Sequence, residues 1–275
     1  MLELHQPTEM KPGKPKILAL GTAGAGKTTQ ILTFPGKTFC YLFDPNAARS
    51  LQGAENLDYV EILPDALPVG ATSLSAETRK SLPKPKNPKL GVDAYRSFDL
   101  DFEERVAAGF FDSYDNIVLD SLTSLSDLVM DAVLAINGRA GQQPQMDDYG
   151  PVIIALSNIC RQIVALDKTI YMTGHLDLRQ DELSKKIINQ PLLIGRLKVK
   201  LPLLFTDALI FSAESEIAGN ASARTNYRIQ TKPDRFNPSV RCSVKSAAFQ
   251  ENITIDFSKP LKNQGLGKFF FGQAG

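Results

Sequence analysis

A chain of 275 residues with 43% apolar and 22% charged side chains has the make-up of a globular protein, one elaborated domain or two small ones, and not of a disordered one. Lys and Arg total 31 against 30 Asp and Glu, a formal charge of +1, which excludes a uniformly basic nucleic-acid coat and leaves room only for local basic patches. No apolar run approaches the roughly 18 residues of a membrane span, Met1–Gly13 has no hydrophobic signal core, three scattered cysteines make no disulfide framework, and two histidines make no His-rich metal site. The expectation is a soluble protein of the cytoplasm with no membrane partner.

Residues 1–15 read as a tail. Lys16–Leu20 is a short apolar strand leading into a glycine-rich turn, and Lys27–Thr33 is predicted as a helix stopped by Pro35-Gly36. Thr38–Asp44, rich in β-favouring residues and too short for a helix, is predicted as a buried strand, and Tyr59–Leu63 as a weaker one. From Pro64 to about Val92 the composition shifts. Within it Arg79–Lys89 carries five positive charges, three prolines and no acid, which predicts a mobile insertion outside the core, in the bland reading a solvated linker. An acidic helix is expected near Asp101–Ala108, then a strand at Asn116–Asp120. Ser121–Ile136 is predicted helical, with Leu122, Leu125, Val129 and Val133 spaced by three and four.

Asn137–Gly150 is polar and glycine-containing and reads as a loop, Val152–Leu166 as an amphipathic helix, and Thr169–Thr173 as a strand. His175–Lys200 is a long irregular segment broken by Pro191 and Gly195. Strands at Asp207–Ser212 and Asn226–Thr231 follow, with shorter β pieces at Arg241–Val244 and Ile253–Phe257. The tail Asn263–Gly275, with its Phe269-Phe270-Phe271 triplet, is expected to dock on the body because exposed apolar triplets are usually covered. Strands alternating with helices predict an α/β fold: a mostly parallel sheet flanked by helices on both faces, with a β-rich C-terminal margin.

Gly21-Thr22-Ala23-Gly24-Ala25-Gly26-Lys27-Thr28 matches GxxxxGK[ST] at every position, after a predicted strand and before a predicted helix, with Thr29 next to it as a further nucleotide-binding candidate. That order suits a triphosphate. The glycines let the backbone curl so that successive N–H groups face the phosphates, and the helix N-terminus adds partial positive charge. Lys27 is placed to reach the β- and γ-phosphates and the Thr28 hydroxyl to complete a Mg²⁺ shell. A P-loop needs a further acid for the magnesium. Ile117-Val118-Leu119-Asp120 supplies three apolar residues and then a carboxylate where the strand emerges. The plainer reading, an Asp capping the next helix, is weakened by Ser121, which is able to cap in its place. Asp120 is followed by serine and not glutamate, which disfavours the large oligomeric ATPases, and no NKxD motif is present, which disfavours a GTPase. ATP with Mg²⁺ is the expected ligand pair.

With these elements in place the sequence resembles the RecA-like ATPases of phages and prophages, and within them the single-strand annealing (Sak-type) group. The resemblance is carried by the P-loop, Phe43-Asp44-Pro45-Asn46, Ile117–Asp120 with Ser121-Leu122-Thr123, Asp148-Tyr149-Gly150, and Leu201-Pro202 with Phe205-Thr206-Asp207; it spans roughly Lys16 to Thr231. It implies a RecA-like P-loop core over 16–262 that binds ATP between subunits and single-stranded DNA along two loops. By position these are Asn137–Gly150, offering Arg139, Met146 and Tyr149, and Leu176–Lys200, offering Arg179, Lys185, Lys186, Arg196, Lys198 and Lys200 against Asp177, Asp181 and Glu182. It further implies a γ-phosphate contact at His175 and cations at Lys232 and Arg235 that reach a neighbouring subunit's ATP. A backbone-satisfied core histidine and ordinary surface charge are the alternatives at these positions.

One departure bears on chemistry. RecA-like recombinases commonly carry a glutamate just after the second strand to orient the attacking water, whereas Asp44 or Asn46 occupies that neighbourhood here. An amide cannot accept the water's proton, and losing a general base costs about 10²–10⁴-fold. The implied function is therefore a phage recombination protein that binds ATP and single-stranded DNA and hydrolyses ATP slowly. Its implied partners are further copies of itself, in a filament or ring, and a single-strand-binding protein, in the cytoplasm of a bacterial host. Two alternatives stay open: a nucleotide-gated DNA-binding module without significant hydrolysis, and a P-loop small-molecule kinase.

Overall fold

The computed structural model describes residues 13–64, 90–180, 187–216 and 224–272. The basic stretch Arg79–Lys89, with Lys185 and Lys186, lies outside them. The strands are β1 (Lys16–Gly21), β2 (Thr38–Leu42), β3 (Leu57–Glu61), β4 (Asn116–Asp120), β5 (Thr169–Gly174), β6 (Leu176–Gln180), β7 (Ile187–Pro191), β8 (Asp207–Glu216), β9 (Arg224–Gln230) and β10 (Gln250–Asn252). The α-helices are α1 (Leu90–Ala107), α2 (Leu122–Ile136), α3 (Met146–Ala165), α4 (Leu197–Lys200) and α5 (Gly265–Phe271). Eight strands form one sheet in the order β10-β9-β8-β1-β5-β4-β2-β3, and β6 and β7 pair separately. Every pairing from β8 to β3 is parallel, and β9 and β10 add an antiparallel margin. This is the fold class that strands alternating with helices predict, a mostly parallel α/β sheet with a β-rich C-terminal margin.

Alternation along each strand divides the core into two layers. Leu18, Leu20, Phe39, Tyr41, Ile117, Leu119, Ile170 and Met172 face the layer containing α1, α2 and α3. Ile17, Ala19, Cys40, Leu42, Val118 and Tyr171 face the opposite layer, where Ile31, Phe34 and Leu266 pack. A sheet buried on both faces explains why its central strands read as unbroken apolar runs.

Several boundaries differ from the sequence reading. The helix predicted after the P-loop is a 3₁₀ helix over Thr28–Thr33: the Thr33 hydroxyl donates back to the Gln30 carbonyl (2.7 Å), and Pro35 follows after Phe34. α1 begins at Leu90, well before Asp101. Its Phe98 and Phe102 lie over Tyr41, with centroids 5.1 and 6.3 Å apart, and the aspartates between them obscure that apolar face in the sequence. α3 begins at Met146, so the predicted loop is five residues shorter at its end. Gln145 N donates to the buried Asp148 carboxylate (2.7 Å), which sets the helix start upstream of Gly150-Pro151.

The irregular segment after His175 contains the β6–β7 hairpin, with Pro191 at its margin opposite Leu176. Arg241–Val244 contributes only a bridge from Arg241 to Ala208, and the terminal strand is Gln250–Asn252, not Ile253–Phe257. The tail does dock. In α5, Leu266 N donates to Gln30 Oε1 (2.7 Å), Gly267 N to Thr33 Oγ1 (2.9 Å), and Phe271 meets Phe34 edge-on.

Candidate nucleotide site

Residue parity builds the site. Val118 points to the P-loop side of the sheet, so Asp120, two positions on, does too; by the same count Tyr171 carries Thr173 to that side. β5 lies between β1 and β4, so Thr173 stands between the P-loop and Asp120. Asp120 is 1% exposed. Its Oδ2 accepts from Thr28 Oγ1 (2.7 Å) and its Oδ1 from Thr173 Oγ1. Burial raises the Asp120 pKa above the usual carboxylate range, the two threonine hydroxyls pull it back, and the nearby Asp44 charge adds to the rise.

The loop from Gly21 to Thr28 is curled by Gly24 and Gly26, both at positive φ (76° and 82°), where a side chain would be strained. Lys27 is folded into the curl and donates to the Gly21 (2.9 Å) and Thr22 (2.8 Å) carbonyls. Burial lowers its pKa, opposed by Asp120 and Asp44. Below it the Tyr171 hydroxyl donates to the Lys27 carbonyl (2.8 Å). Thr22, Ala23 and Gly24 are exposed at the mouth, and Thr29 continues the 3₁₀ turn. Donors and acceptors fit the ligands the sequence predicts. Thr28 and Asp120 together present a hydroxyl and a carboxylate to one point, suited to Mg²⁺, and the curl offers backbone N–H groups to phosphates.

Asp44 is partly buried at the start of α2, where its Oδ1 accepts from the hydroxyls of Ser121 (3.1 Å) and Ser124. Asn46 is exposed in a left-handed conformation (φ 68°) at the start of a 3₁₀ turn, with no side-chain cap. His175 is fixed through its backbone: its N–H donates to Thr123 Oγ1 (3.0 Å) and its carbonyl accepts from Leu192 N (2.8 Å). Lys232 and Arg235 are exposed beyond the end of β9. The Lys232 carbonyl accepts from Gln230 (2.8 Å), and the Arg235 guanidinium lies 4.5 Å above the Phe236 ring. Among the described residues neither is hydrogen-bonded to the chain's own P-loop.

Of the residues expected at DNA, Met146 is 85% exposed, whereas Tyr149 packs partly into the core. Arg139 is ion-paired with the buried Asp148. Arg179 pairs with Asp177 (2.6 Å), Lys198 approaches the same carboxylate at 3.8 Å, and Arg196 is exposed. Sequence reasoning does not single out Thr173, Ser121, Ser124 or Tyr171 as parts of the site. Counting by two back from the strand ends finds Thr173 and Tyr171; nothing local marks the serines as partners of Asp44. In the Phe205-Thr206-Asp207 segment, the fully buried Asp207 accepts from Ser243 N (2.6 Å) and from Thr206 Oγ1 (2.6 Å), anchoring the C-terminal margin.

The model of the AAA domain family matches residues 13–205, which include the P-loop, Asp120 and Thr173. The chain belongs to the AAA domain family. This makes it a P-loop ATPase-type nucleotide-binding domain. No curated protein sequence matches the chain. Among solved structures, the KaiC-like protein PH0186 from Pyrococcus horikoshii OT3 is similar at 11% identity over 89% of this chain and 87% of that one, with a TM-score of 0.41. The flagellar accessory protein FlaH from Methanocaldococcus jannaschii is similar at 12% identity over 89% and 88%, with a TM-score of 0.36. No helix among the described residues of this AAA domain is long and apolar enough to cross a membrane.

Proposed function

We propose that the chain is an ATP- and single-stranded-DNA-binding recombination protein of the annealing type, in which hydrolysis is slow and nucleotide occupancy governs DNA affinity. The observation that carries this reading is the direct chain continuity between site and hairpin. Thr173 touches Asp120, and two residues later His175 closes the base of the β6–β7 hairpin through Leu192. A triphosphate drawing Lys27, Thr28 and Asp120 into new positions shifts Thr173, and β5 passes that shift to the hairpin that bears Arg179 and leads to Arg196 and Lys198.

In this reading Lys27 leaves the Gly21 and Thr22 carbonyls for the phosphates, and backbone N–H groups of the curl take the remaining oxygens. Thr28 and Asp120 hold Mg²⁺, which when bound neutralises phosphate charge. Asp44 orients water from the start of α2. Its Oδ1 is engaged by two serine hydroxyls and no glutamate stands in that neighbourhood, which supports slow turnover. Lys232 and Arg235 act on a neighbouring copy's nucleotide in a filament or ring, and a single-strand-binding protein is a further partner.

The test is binding of a labelled oligothymidylate with and without ATP and Mg²⁺, in the wild type and in Lys27→Ala. The expected result is ATP-strengthened binding that Lys27→Ala removes. Binding indifferent to nucleotide, or none, would refute the reading; nucleotide turnover that ignores DNA but needs a small acceptor would favour the kinase.

A further inference from the structure

The α3 helix packs beside α4 and the turn after it, and between α3 and α4 lies a pocket of about 200 Å³. Ile153 and Ser157 form its α3 wall, Asn158 and Arg161 its α3 rim, and Arg196 and Lys200, one helical turn apart, its α4 rim. Gly195 brings α4 in close: at φ 48°, a Cβ there would lie 3.2 Å from Ile153 Cδ1.

Charge distinguishes this pocket. Arg105, Arg139, Arg179 and Arg228 each face a carboxylate. Arg161, Arg196 and Lys200 converge with no Asp or Glu in the lining, and among the described residues none of the three is ion-paired. Three like charges around one concavity repel one another unless an anion sits among them. Two guanidinium forks and an ammonium suit the tetrahedral oxygens of phosphate, and the Asn158 amide adds a neutral donor. Ser157 spends its hydroxyl proton on the Ile153 carbonyl (2.6 Å), so it is not a donor to the pocket.

We propose that this pocket binds phosphate groups, supplied by the backbone of a single nucleic-acid strand. It rests on the DNA reading above for the source of the phosphate, and adds Arg161 of α3 to the contact surface, joined there to Arg196 and Lys200. Their contribution is sequence-independent, because phosphate contacts position a strand without reading it.

Fluorescein-labelled (dT)30 is titrated at several salt concentrations into the full chain and into Arg161→Gln/Lys200→Gln, with the thermal midpoint of each recorded. Two lost phosphate contacts flatten the slope of log affinity against log salt by about 1.4. Arg161→Lys is expected to keep the wild-type slope, since charge and not side-chain bulk is at issue. Equal slope and affinity in wild type and double variant overturn the pocket and leave the DNA reading standing. If the wild type does not bind (dT)30, the DNA reading falls, and pyrophosphate is tested on Lys27→Ala, whose P-loop is weakened. A raised thermal midpoint there, lost when Arg161→Gln/Lys200→Gln is added, assigns the pocket to free phosphate. No rise overturns the pocket as well.

Discussion

Thr28 Oγ1 donates to Asp120 Oδ2 at 2.7 Å, joining two residues 92 positions apart at the mouth of the P-loop. The bond occupies the Thr28 hydroxyl and one oxygen of Asp120, the two groups that fit a magnesium ion, while Lys27 bonds backbone carbonyls of the loop it serves. On the proposed function, nucleotide binding would exchange these internal bonds for bonds to phosphate and metal.

Lys27→Ala is expected to raise the Kd for ATP about 10- to 100-fold, the equivalent of one charge-assisted hydrogen bond of about 1.5–3 kcal/mol. Its circular dichroism should remain that of the wild type, because the two bonds it loses are side-chain contacts within the loop and no sheet or helix bond goes with them. Isothermal titration calorimetry checks the first point; unaltered affinity would contradict the assignment of the site.

Turnover should be slow, well under about 1 s⁻¹, since the residue in the water-orienting neighbourhood is a hydroxyl-bound aspartate. Phosphate release in the presence of single-stranded DNA measures it. Asp44→Ala turning over at tens per second would rule out a water-orienting role for this residue.

Asp148 carries the pH dependence most open to test. Its carboxylate is held below the ordinary carboxylate range first by Arg139, then by the Gln145 N–H, with Asn137 adding. A depressed folded-state pKa means that the stabilisation is present above the unfolded value, near 3.8, and is lost as pH falls through the folded value. Asp148→Asn should therefore flatten the fall in thermal midpoint below about pH 4 relative to wild type. Parallel curves for the two proteins would dismiss the linkage.

Gly267 is the point where α5 touches the element following the P-loop: a Cβ there would lie 1.9 Å from the Thr33 carbonyl oxygen. Gly267→Ala must push the C-terminal helix away, at a cost of about 1–3 kcal/mol. The thermal midpoint should fall, and limited proteolysis should remove the C-terminal residues first. A variant as stable and as protease-resistant as wild type would show that this contact is dispensable.

Much of the site is legible in the amino-acid sequence. The eight P-loop positions are local, and the run Ile117–Asp120 announces both a buried strand and the acid at its end. Local preference misplaces the start of α3 because Gly150-Pro151 are strong breakers, and the bond that overrides them comes from Asp148, which looks like a loop residue until it is seen buried. Pro191 hides the hairpin after His175, because proline argues against a strand yet is tolerated at the margin of a two-stranded ribbon.

Sequence alone determined the phosphate curl, the buried strand that ends in Asp120 and most of the order of strands and helices, because each depends on residues adjacent in the chain. Tertiary structure decided that β5 lies between β1 and β4, and so that Thr173 joins Thr28 on Asp120; it also decided that Asp44 is bound by serines and that Arg139 is spent on Asp148. Those outcomes depend on which side chains meet across the sheet and between elements, and no local pattern encodes such a partner.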